Sequence, residues 1–555
     1  MRDHLGLIAT LVTCLSCACA APETDDVQVN LVTAALSGSC EWNSNNNGSF
    51  PAGADAVVIR LTGGELTEPF IKRIANDDTS VHVVTGITPG DDMTLEVVGC
   101  AGSDALWAGL TLNVNVRKQE KSFPPVFLTP LGSQTVCVSE DPALGTLTHA
   151  FGAGVRIDDQ VFVIGGANSY NPSGRNAFAG KQVSAYNRYT GLIAPTAKTA
   201  SLIDSRLMAH AWATDDGQIR LAGGASELKF RADNNFDLWT PGTAAPACAI
   251  ERYDPTNDTS TCETQATVPA GASVARLAND TIVLVGGVNP GDEPSKALWV
   301  FAKSGHQEHT MPEARVGATV VPLNDTHILV WGGNTSGGAA KTGLIVNVTN
   351  GTMAPADVGG YSAVPIWAAG APGGSVSDDI HRVIIAGGTE LTSSTDDIHA
   401  ALPPAGPRLD LLTVVLSTST VTVTPIDAGA DSTQRFTRAG GSLVALADGS
   451  LWFLGGIALF TKYLEVCPDD SNRCFPTTMT RFEVDYSSGS PVFSDLTGAS
   501  PSLSVGALGA IPVDLGDGSQ MILAGFTELS STGLGVGGEL VRYDSASAAL
   551  CTEAP

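Results

Sequence analysis

The sequence is poor in charged residues, aromatic residues and histidine. Of its 555 residues, 16% are charged and 6% aromatic, and there are nine histidines. The motifs G-x-S-x-G and H-E-x-x-H are absent, which argues against a serine hydrolase of the nucleophile-elbow type and against a zinc protease. No C-x-x-C pair follows residues 1–21. Structural zinc and thiol redox chemistry therefore have little support.

Basic residues are scarce as well. The chain has 30 Lys and Arg against 57 Asp and Glu, a formal net charge of −27. Nucleic acids and anionic membrane surfaces attract basic proteins, so we expect neither as a partner. No stretch of 18 apolar residues follows the N-terminal segment, so a membrane-spanning helix is not expected. The length predicts two or more domains, and the 43% of hydrophobic residues is enough for a large core.

Residues 1–21 have the pattern of a secretory signal. One Arg precedes an apolar run that begins at Leu5, and small residues follow. The small residues end in cysteines, which resembles the lipobox of bacterial lipoproteins, with lipidation at Cys19 or Cys17. Cleavage after Ala20 would instead release a soluble protein. We therefore expect an exported protein: an outer-membrane or cell-surface lipoprotein, or a periplasmic or secreted protein if the lipid site is not used.

Glycine, by contrast, is abundant and is arranged in a repeat. The run VFVIGG ends in two glycines, and the same ending recurs along the chain. The pairs are Gly165-Gly166, Gly223-Gly224, Gly286-Gly287, Gly332-Gly333, Gly387-Gly388 and Gly455-Gly456. A weaker seventh copy is Ala524-Gly525. Successive copies are 46 to 69 residues apart (332 − 286 and 524 − 455), so one structural unit carries loops of variable length.

Each glycine pair belongs to a larger unit. Six to eight residues before it lies an Asp turn, and another apolar run precedes the turn; together these predict a β-hairpin. The turns contain Asp159, Asp216, Asp280, Asp325, Asp379, Asp448 and Asp517. A third strand is predicted after each pair, at 183–187, 250–254, 297–301, 343–347, 408–412, 481–485 and 540–544. The pattern predicts an all-β repeat array.

This unit resembles the kelch repeat. The glycine pairs, the Tyr-Asp endings at Tyr253-Asp254 and Tyr543-Asp544, and the Arg ahead of the first strand carry the resemblance. Kelch repeats form a β-propeller of four-stranded blades, as in the central domain of galactose oxidase. The resemblance implies a kelch-type propeller over residues 131–555. We expect seven blades. Six blades are the alternative, because the seventh glycine pair is degenerate.

Residues 22–130 lack the glycine-pair unit. They contain five strand-like runs separated by turns, which predicts a small β-sandwich. It resembles the immunoglobulin-like modules that precede repeat domains in bacterial surface proteins. The domain boundaries are therefore a signal peptide at 1–21, a β-sandwich at 22–130 and the propeller at 131–555.

Eight cysteines follow the signal, and an even count in an exported chain predicts disulfides. Cys248–Cys262 and Cys467–Cys474 are close in sequence and are predicted to be loop bridges. Cys40–Cys100 is the predicted bridge inside the sandwich. Because Cys137 lies just before the first repeat and Cys551 just after the last, we expect a Cys137–Cys551 bond that holds the ends of the ring together.

Several residues suggest chemistry, and each also has a structural explanation. Five residues precede or begin first strands: Arg206, Arg315, Arg438, His149 and His210. In a propeller enzyme they would line the channel. Alternatively, they bond neighbouring blades, and this second interpretation is favoured. The G-x-G-x-x-G match at Gly533, Gly535 and Gly538 leads into a strand and is interpreted as a blade loop, not a dinucleotide site.

Metal-binding patterns are weak. His306 and His309 form H-x-x-H without a third ligand in view. The acidic pairs Asp215-Asp216, Asp378-Asp379 and Asp469-Asp470 lack the spacing of a calcium loop and are interpreted as turns. We expect no metal and no cofactor. An oxidase of the galactose oxidase type needs a Cys–Tyr cofactor with Tyr and His ligands, and nine histidines give little support for one.

The expected function is a non-enzymatic, cell-envelope propeller that binds a protein or a glycan through its blade loops, as a monomer. The alternative is a propeller enzyme, an oxidase, hydrolase or isomerase, acting on carbohydrate through the central channel. Fold alone does not decide between them.

Overall fold

The structure, a computed structural model, describes most of the chain from residue 27 onwards. The described ranges are 27–28, 30–33, 51–76, 83–84, 86–117, 125–131, 134–135, 139–140, 149–158, 160–171, 176–187, 192–196, 202–230, 239–242, 244–291, 293–335, 338–340, 342–356, 368–388, 409–429, 435–436, 438–446, 449–458, 479–486, 490–496, 509–515, 519–523, 526–530, 533–536, 539–542 and 546–553. The signal segment with Cys17 and Cys19 lies outside them.

Eight strands make up the N-terminal part. They are β1 (Val27–Gln28), β2 (Asn30–Thr33), β3 (Ala56–Gly63), β4 (Phe70–Ala75), β5 (Val83–Val84), β6 (Gly90–Ala101), β7 (Asp104–Val116) and β8 (Pro125–Pro130). Six of them form one sheet in the order β2-β8-β7-β6-β3-β4, and β1 pairs with β5. We call the six strands the N-terminal sheet. The alternation in β3 places Val57, Ile59 and Leu61 in a core on one face of this sheet.

The remaining strands follow in chain order. They are β9 (Gln134–Thr135), β10 (Ser139–Glu140), β11 (Ala153–Ile157), β12 (Gln160–Ile164), β13 (Ala167–Asn171), β14 (Asn176–Ala179), β15 (Val183–Asn187), β16 (Leu192–Pro195), β17 (His210–Ala213), β18 (Ile219–Ala222), β19 (Glu227–Phe230), β20 (Trp239–Pro241), β21 (Ile250–Asp254), β22 (Thr259–Thr264), β23 (Ser273–Arg276), β24 (Ile282–Val285), β25 (Val288–Asn289), β26 (Glu293–Pro294), β27 (Ala297–Ala302) and β28 (Gly305–Thr310). The list continues with β29 (Thr319–Pro322), β30 (His327–Trp331), β31 (Asn334–Thr335), β32 (Gly338–Ala339), β33 (Gly343–Asn347), β34 (Thr352–Ala356), β35 (Ala369–Ser375), β36 (Ile380–Ala386), β37 (Leu409–Val415), β38 (Thr420–Pro425), β39 (Arg438–Ala445), β40 (Leu451–Ala458), β41 (Thr480–Asp485), β42 (Val492–Asp495), β43 (Ile511–Asp514), β44 (Ser519–Leu523), β45 (Phe526–Ser530), β46 (Gly533–Val536) and β47 (Glu539–Arg542), and ends with the helix α1 (Ala546–Glu553).

Each glycine-pair unit folds into its own small sheet. In chain order these are the first sheet (β11, β12, β15, β16, with β10 paired to β16), the second (β17, β18, β21, β22), the third (β23, β24, β27, β28), the fourth (β29, β30, β33, β34), the fifth (β35–β38), the sixth (β39–β42) and the seventh (β43, β44, β47, β9). Neighbouring strands are antiparallel, apart from the parallel β10–β16 pair. The predicted hairpins and third strands are confirmed, and the fold is all-β with many small sheets.

Consecutive sheets pack face to face and share hydrophobic cores. In β24, Ile282 and Leu284 lie in the core shared with the second sheet, whereas Val283 and Val285 lie in the core shared with the fourth. Both faces of the strand are buried, which explains why it reads IVLV without polar alternation. Such a shared core joins every consecutive pair of sheets, and a further core joins the seventh sheet to the first through Val513 and Val161.

The seventh sheet takes its outer strand from the other end of the array. Its strand β47 pairs with β9, so that Leu540 lies opposite Thr135 and Val541 opposite Gln134. Strand β9 precedes the first sheet in sequence. Main-chain hydrogen bonds therefore connect the start of the array to its end.

The disulfide at the end of the array differs from the prediction. Cys551 bonds to Cys100, with the two Cα atoms 5.7 Å apart, so the predicted Cys137–Cys551 and Cys40–Cys100 bonds are wrong. The physical reason is the helix α1, which packs beyond the last sheet against β6 and β7 of the N-terminal sheet. There Leu550 and Cys551 share a core with Cys100, and Arg73 donates a hydrogen bond of 3.0 Å to the Cys551 carbonyl.

The other predicted bridges have different outcomes. Cys248–Cys262 is confirmed; it joins the loop before β21 to β22 of the second sheet. Cys467, Cys474, Cys40 and Cys137 lie outside the described residues. Among the described residues no helix is long and apolar enough to cross a membrane.

The twelve glycines of the six pairs all adopt positive φ. Glycine visits this region without the steric cost that other residues incur. In three pairs the first glycine also lies against the next sheet. A Cβ on Gly165, Gly286 or Gly387 would fall far inside van der Waals contact with the carbonyl oxygen of Arg206, Arg315 or Arg438, respectively. The pairs are therefore required by both backbone conformation and close packing between sheets.

Replacing one of these glycines tests the packing requirement. We expect Gly286→Ala to lower the free energy of unfolding by about 2–4 kcal/mol, because Cβ meets the Arg315 carbonyl and φ is +63°. Gly217→Ala is the matched control, since φ is +74° and no atom lies within 4 Å of its Cβ position. It should cost about 1 kcal/mol. Equal losses in chemical denaturation would show that conformation alone requires the glycine.

Candidate functional site

The three arginines singled out in the sequence are fully buried. Arg206 is 0% exposed, and its Nε lies 3.1 Å from a carboxylate oxygen of Glu251, which is also 0% exposed. Its two Nη atoms each donate a 2.6 Å hydrogen bond, to the carbonyls of Gly223 and Cys248. Burial lowers the pKa of Arg206, and the charge of Glu251 opposes that shift. The guanidinium is thus fully engaged inside the protein.

Arg315 and Arg438 repeat this arrangement. Arg315 donates to the carbonyls of Gly332 (2.8 Å) and Thr342 (2.7 Å), and Arg438 donates to the carbonyl of Gly455 (3.3 Å). In all three cases the arginine lies 17 residues before the glycine whose carbonyl it bonds. The guanidinium of Arg438 also lies 4.9 Å from the centre of the Phe453 ring.

The backbone of the same arginines reaches the preceding sheet. The second glycines of three pairs donate N–H hydrogen bonds to arginine carbonyls: Gly166 to Arg206 (2.7 Å), Gly287 to Arg315 (2.9 Å) and Gly388 to Arg438 (2.8 Å). Each arginine therefore bonds its own sheet through its side chain and the preceding sheet through its carbonyl. The structural interpretation of these residues fits this geometry, and the structure does not bring them together at one site.

His149 has the corresponding role in the first sheet. It is 2% exposed and lies 16 residues before Gly165, whose carbonyl is 2.6 Å from its Nδ1. A carbonyl only accepts, so Nδ1 carries the proton, and Nε2 accepts from the Ser184 hydroxyl at 2.9 Å. Burial lowers the pKa of this imidazole. The ring is neutral and has both nitrogens bonded.

His210 differs from the other candidates because it is exposed. It begins β17, the first strand of the second sheet, and its ring centre lies 6.1 Å from that of Trp212 in a stacked arrangement. Desolvation by the groups around the ring, together with the charge of Arg276, lowers the pKa of His210 to about 4, so the ring is neutral near pH 7.

Where the structure describes them, the weaker sequence patterns fall in strands and turns; Gly538, Asp469 and Asp470 lie outside the described residues. Gly533 and Gly535 belong to β46, the second strand of a hairpin with β45, and the next element is the strand β47 rather than a helix. His306 and His309 are three residues apart on β28, so their side chains lie on opposite faces. Asp216 accepts hydrogen bonds in the turn between β17 and β18. Over the described ranges, no group of three or more His, Cys, Asp or Glu side chains could hold a metal ion.

A groove opens between the second and third sheets, at the end of the sheets where the glycine pairs lie. Its volume is about 510 Å³, and its lining includes Trp299, Glu308, Lys296, Asn289, Thr310 and Pro269. Trp299 and Glu308 face each other across β27 and β28. Asn289 comes from the short hairpin β25–β26, which follows Gly287. The groove thus combines an aromatic ring with charged and amide side chains.

The groove lies where the repeated arginine is replaced. Pro269 stands 17 residues before Gly286 (286 − 17 = 269), the position that arginine holds in the second, fourth and sixth sheets. Proline has no side-chain donor and cannot reach the glycine carbonyl as the arginines do. The same position also lacks an arginine in the first, fifth and seventh units, which have Thr148, Gly370 and Ala507 there, so this absence alone does not mark the groove in the sequence.

Loops after other glycine pairs also form structure on this side. Strands β13 and β14 follow the first pair, and β19 and β20 follow the second; together they make a four-stranded sheet of their own. The hairpin β31–β32 follows the fourth pair. These segments, which the sequence predicts to be variable loops, are therefore paired strands.

Comparisons with known proteins give little guidance. No protein-family model and no curated protein matches the chain. A solved structure of YjhT is similar to this chain with a TM-score of 0.36 and 14% sequence identity, covering 64% of this chain and 99% of the YjhT chain.

The buried arginine–glutamate pair of the second sheet can be tested by substitution. Arg206→Met leaves Glu251 buried without its partner, so we expect a loss of about 3–5 kcal/mol in the free energy of unfolding. The double variant Arg206→Met/Glu251→Leu should recover part of it. Arg435→Met is the control, since its pair with Asp495 is 3.2 Å long and about one-third exposed, and should cost about 1 kcal/mol or less. A loss as small as the control's would contradict a structural role.

His149 predicts a pH dependence of stability. The folded protein keeps the ring neutral, whereas the unfolded chain takes up a proton as the pH falls through 6.5. The contribution of His149 to the free energy of unfolding is therefore fully present above pH 6.5. Below that pH it decreases, by up to about 1.4 kcal/mol per pH unit, until the folded ring is also protonated. His149→Gln should flatten this part of the curve. Parallel curves for wild type and variant between pH 7 and 5, measured by denaturant titration, would refute the assignment.

Proposed function

We propose that residues 131–555 form a seven-bladed kelch-type β-propeller and that the protein is an exported, cell-envelope module that binds a glycan without chemical turnover. The cores shared between consecutive sheets, the core between the seventh and first sheets, and the pairing of β47 with β9 support a ring. The signal-like segment and the two disulfides are compatible with export. A protein ligand is the other partner considered.

The observation that carries the binding role is the groove at Trp299. An aromatic ring packs against the apolar face of a sugar, and nearby charged and amide groups bond its hydroxyls. Trp299, Lys296, Glu308 and Asn289 supply both kinds of contact in one groove. The groove lies beside the hairpins that follow the glycine pairs, which vary from one unit to the next.

An enzymatic role for the arginines has less support from the same structure. Arg206, Arg315 and Arg438 are buried, and each guanidinium donates to a main-chain carbonyl of its own sheet, so none of the three is exposed to a substrate. Binding needs only the groove, whereas glycoside hydrolysis commonly uses a pair of carboxyl groups, and Glu308 is the one Asp or Glu in the lining of the groove.

Glycan-array binding of the purified full chain tests the proposal. We expect wild type to bind at least one glycan, and Trp299→Ala and Lys296→Met to weaken that binding by about 10-fold or more. Lys303→Met is the matched control, because Lys303 is another exposed lysine of the third sheet and lies beyond the opposite end of β27. It should stay within about twofold of wild type.

Three results would overturn the proposal: no glycan bound by wild type, equal binding by wild type and Trp299→Ala, or turnover of the bound glycan. Thermal melts of each variant separate loss of binding from loss of folding. A protein captured through the same groove, with the same sensitivity to Trp299→Ala, would replace the glycan by a protein ligand.

A further inference from the structure

A second cavity lies between the same two sheets, at the end opposite to the groove. Its volume is about 210 Å³, and its lining includes Trp212, Arg220, Glu263, Asp280, Phe301 and Lys303. This is less than half the volume of the groove, so the cavity suits a smaller ligand. The groove adjoins the start of β27 and this cavity adjoins its end, so the two are distinct sites.

The positive charges of the cavity are only partly neutralised from within. Arg220 lies 3.0 Å from Glu263, and Arg276 lies 2.5 Å from Asp280. Lys303, at the turn between β27 and β28, is exposed and makes no ion pair with any described residue. One ammonium group at the cavity therefore stays available for a carboxylate.

A negative group with a free acceptor lies at the same cavity. Arg276 bonds only Oδ1 of Asp280, with Nε 3.1 Å and Nη2 2.5 Å away. Oδ2 accepts no hydrogen bond from the described side chains around it. The charge of Lys303 contributes to the lowered pKa of Asp280, after the larger effect of Arg276, so the two groups interact. A free cation and a free carboxylate oxygen thus occur together.

The apolar wall contributes a third unsatisfied group. Trp212 is 4% exposed, and its Nε1 has no hydrogen-bond partner. A buried donor without an acceptor costs about 1–3 kcal/mol. Ile282 and Phe301 pack with Trp212 in one hydrophobic cluster, so a ligand would meet aromatic and aliphatic carbon on this side.

We propose that this cavity binds a free α-amino acid with an apolar side chain. Its carboxylate bonds Lys303, its ammonium group bonds Asp280 Oδ2, and its side chain packs on Trp212 and Phe301. An α-amino acid carries both charges on adjacent atoms, which matches a site where opposite charges adjoin. A purely anionic ligand would leave Asp280 unmatched, and a purely cationic one would leave Lys303 unmatched.

Isothermal titration of the full chain with L-leucine and L-phenylalanine tests the site. At least one of the two is expected to bind with one-to-one stoichiometry. Blocking either charge should weaken binding by about 10-fold or more, so N-acetyl-L-leucine, which lacks the ammonium group, and L-leucinamide, which lacks the carboxylate, serve as probes.

Two substitutions localise the ligand. Lys303→Met and Asp280→Asn should each weaken binding by about 10-fold, whereas Lys296→Met, in the groove, should leave it within about twofold. Because Asp280 also bonds Arg276, the stability of Asp280→Asn is compared with that of wild type in a thermal melt. If Asp280→Asn is unstable, the result for Lys303→Met decides, because Lys303 has no hydrogen bond or ion pair with a described residue.

The proposal is overturned if neither amino acid binds at millimolar concentration, if the blocked derivatives bind as well as the free amino acid, or if Lys303→Met binds like wild type. Glycan binding at the groove is measured independently with Trp299→Ala, so failure of one site leaves the other result intact.

Discussion

The contact on which the array depends is the hydrogen bond from the second glycine of a pair to a main-chain carbonyl of the next sheet. Gly166, Gly287 and Gly388 make this bond to Arg206, Arg315 and Arg438. The same arginines return a side-chain bond to the first glycine of their own sheet's pair. Two strand ends and one buried cation are thereby fixed together. A Cβ would separate the sheets, and loss of the cation would leave buried carbonyls unpaired, at a cost of about 1–3 kcal/mol each.

This dependence explains why residues that resemble catalytic groups are structural. A buried arginine beside a glutamate has the composition of an active site, but here every guanidinium is oriented by main-chain carbonyls that belong to the repeat. His149 shows the same constraint with a different side chain, since its imidazole bonds Gly165 as the arginines bond their glycines. In the first sheet, the carbonyl of the first glycine of the pair is thus bonded by an imidazole, which is smaller than a guanidinium and uncharged.

The strand pattern was predictable from the sequence, and the connection of the chain ends was not. Glycine pairs and third strands are local signals, because each reflects the backbone conformation and burial of a few neighbouring residues. β24 reads IVLV since both of its faces are buried, and this requires no knowledge of which sheet lies on either side. The Cys100–Cys551 bond joins residues 451 positions apart and depends on where α1 docks. That docking is decided by Leu550 and Cys551 packing against the N-terminal sheet, which no local pattern encodes.

The candidate sites were missed for a related reason. Trp299 and Phe301 were recognised as strand residues, but their shared face becomes informative only once the second sheet is known to lie opposite it. At that interface Pro269 stands where the second, fourth and sixth sheets have an arginine, so no guanidinium fills this end and the groove is open there. Because Gly271 donates a main-chain hydrogen bond to the Gly224 carbonyl and the second and third sheets share a core, the array stays continuous across the groove. The groove thus becomes visible only when the facing residues of two consecutive sheets are considered together, because its lining comes from segments on either side of that interface.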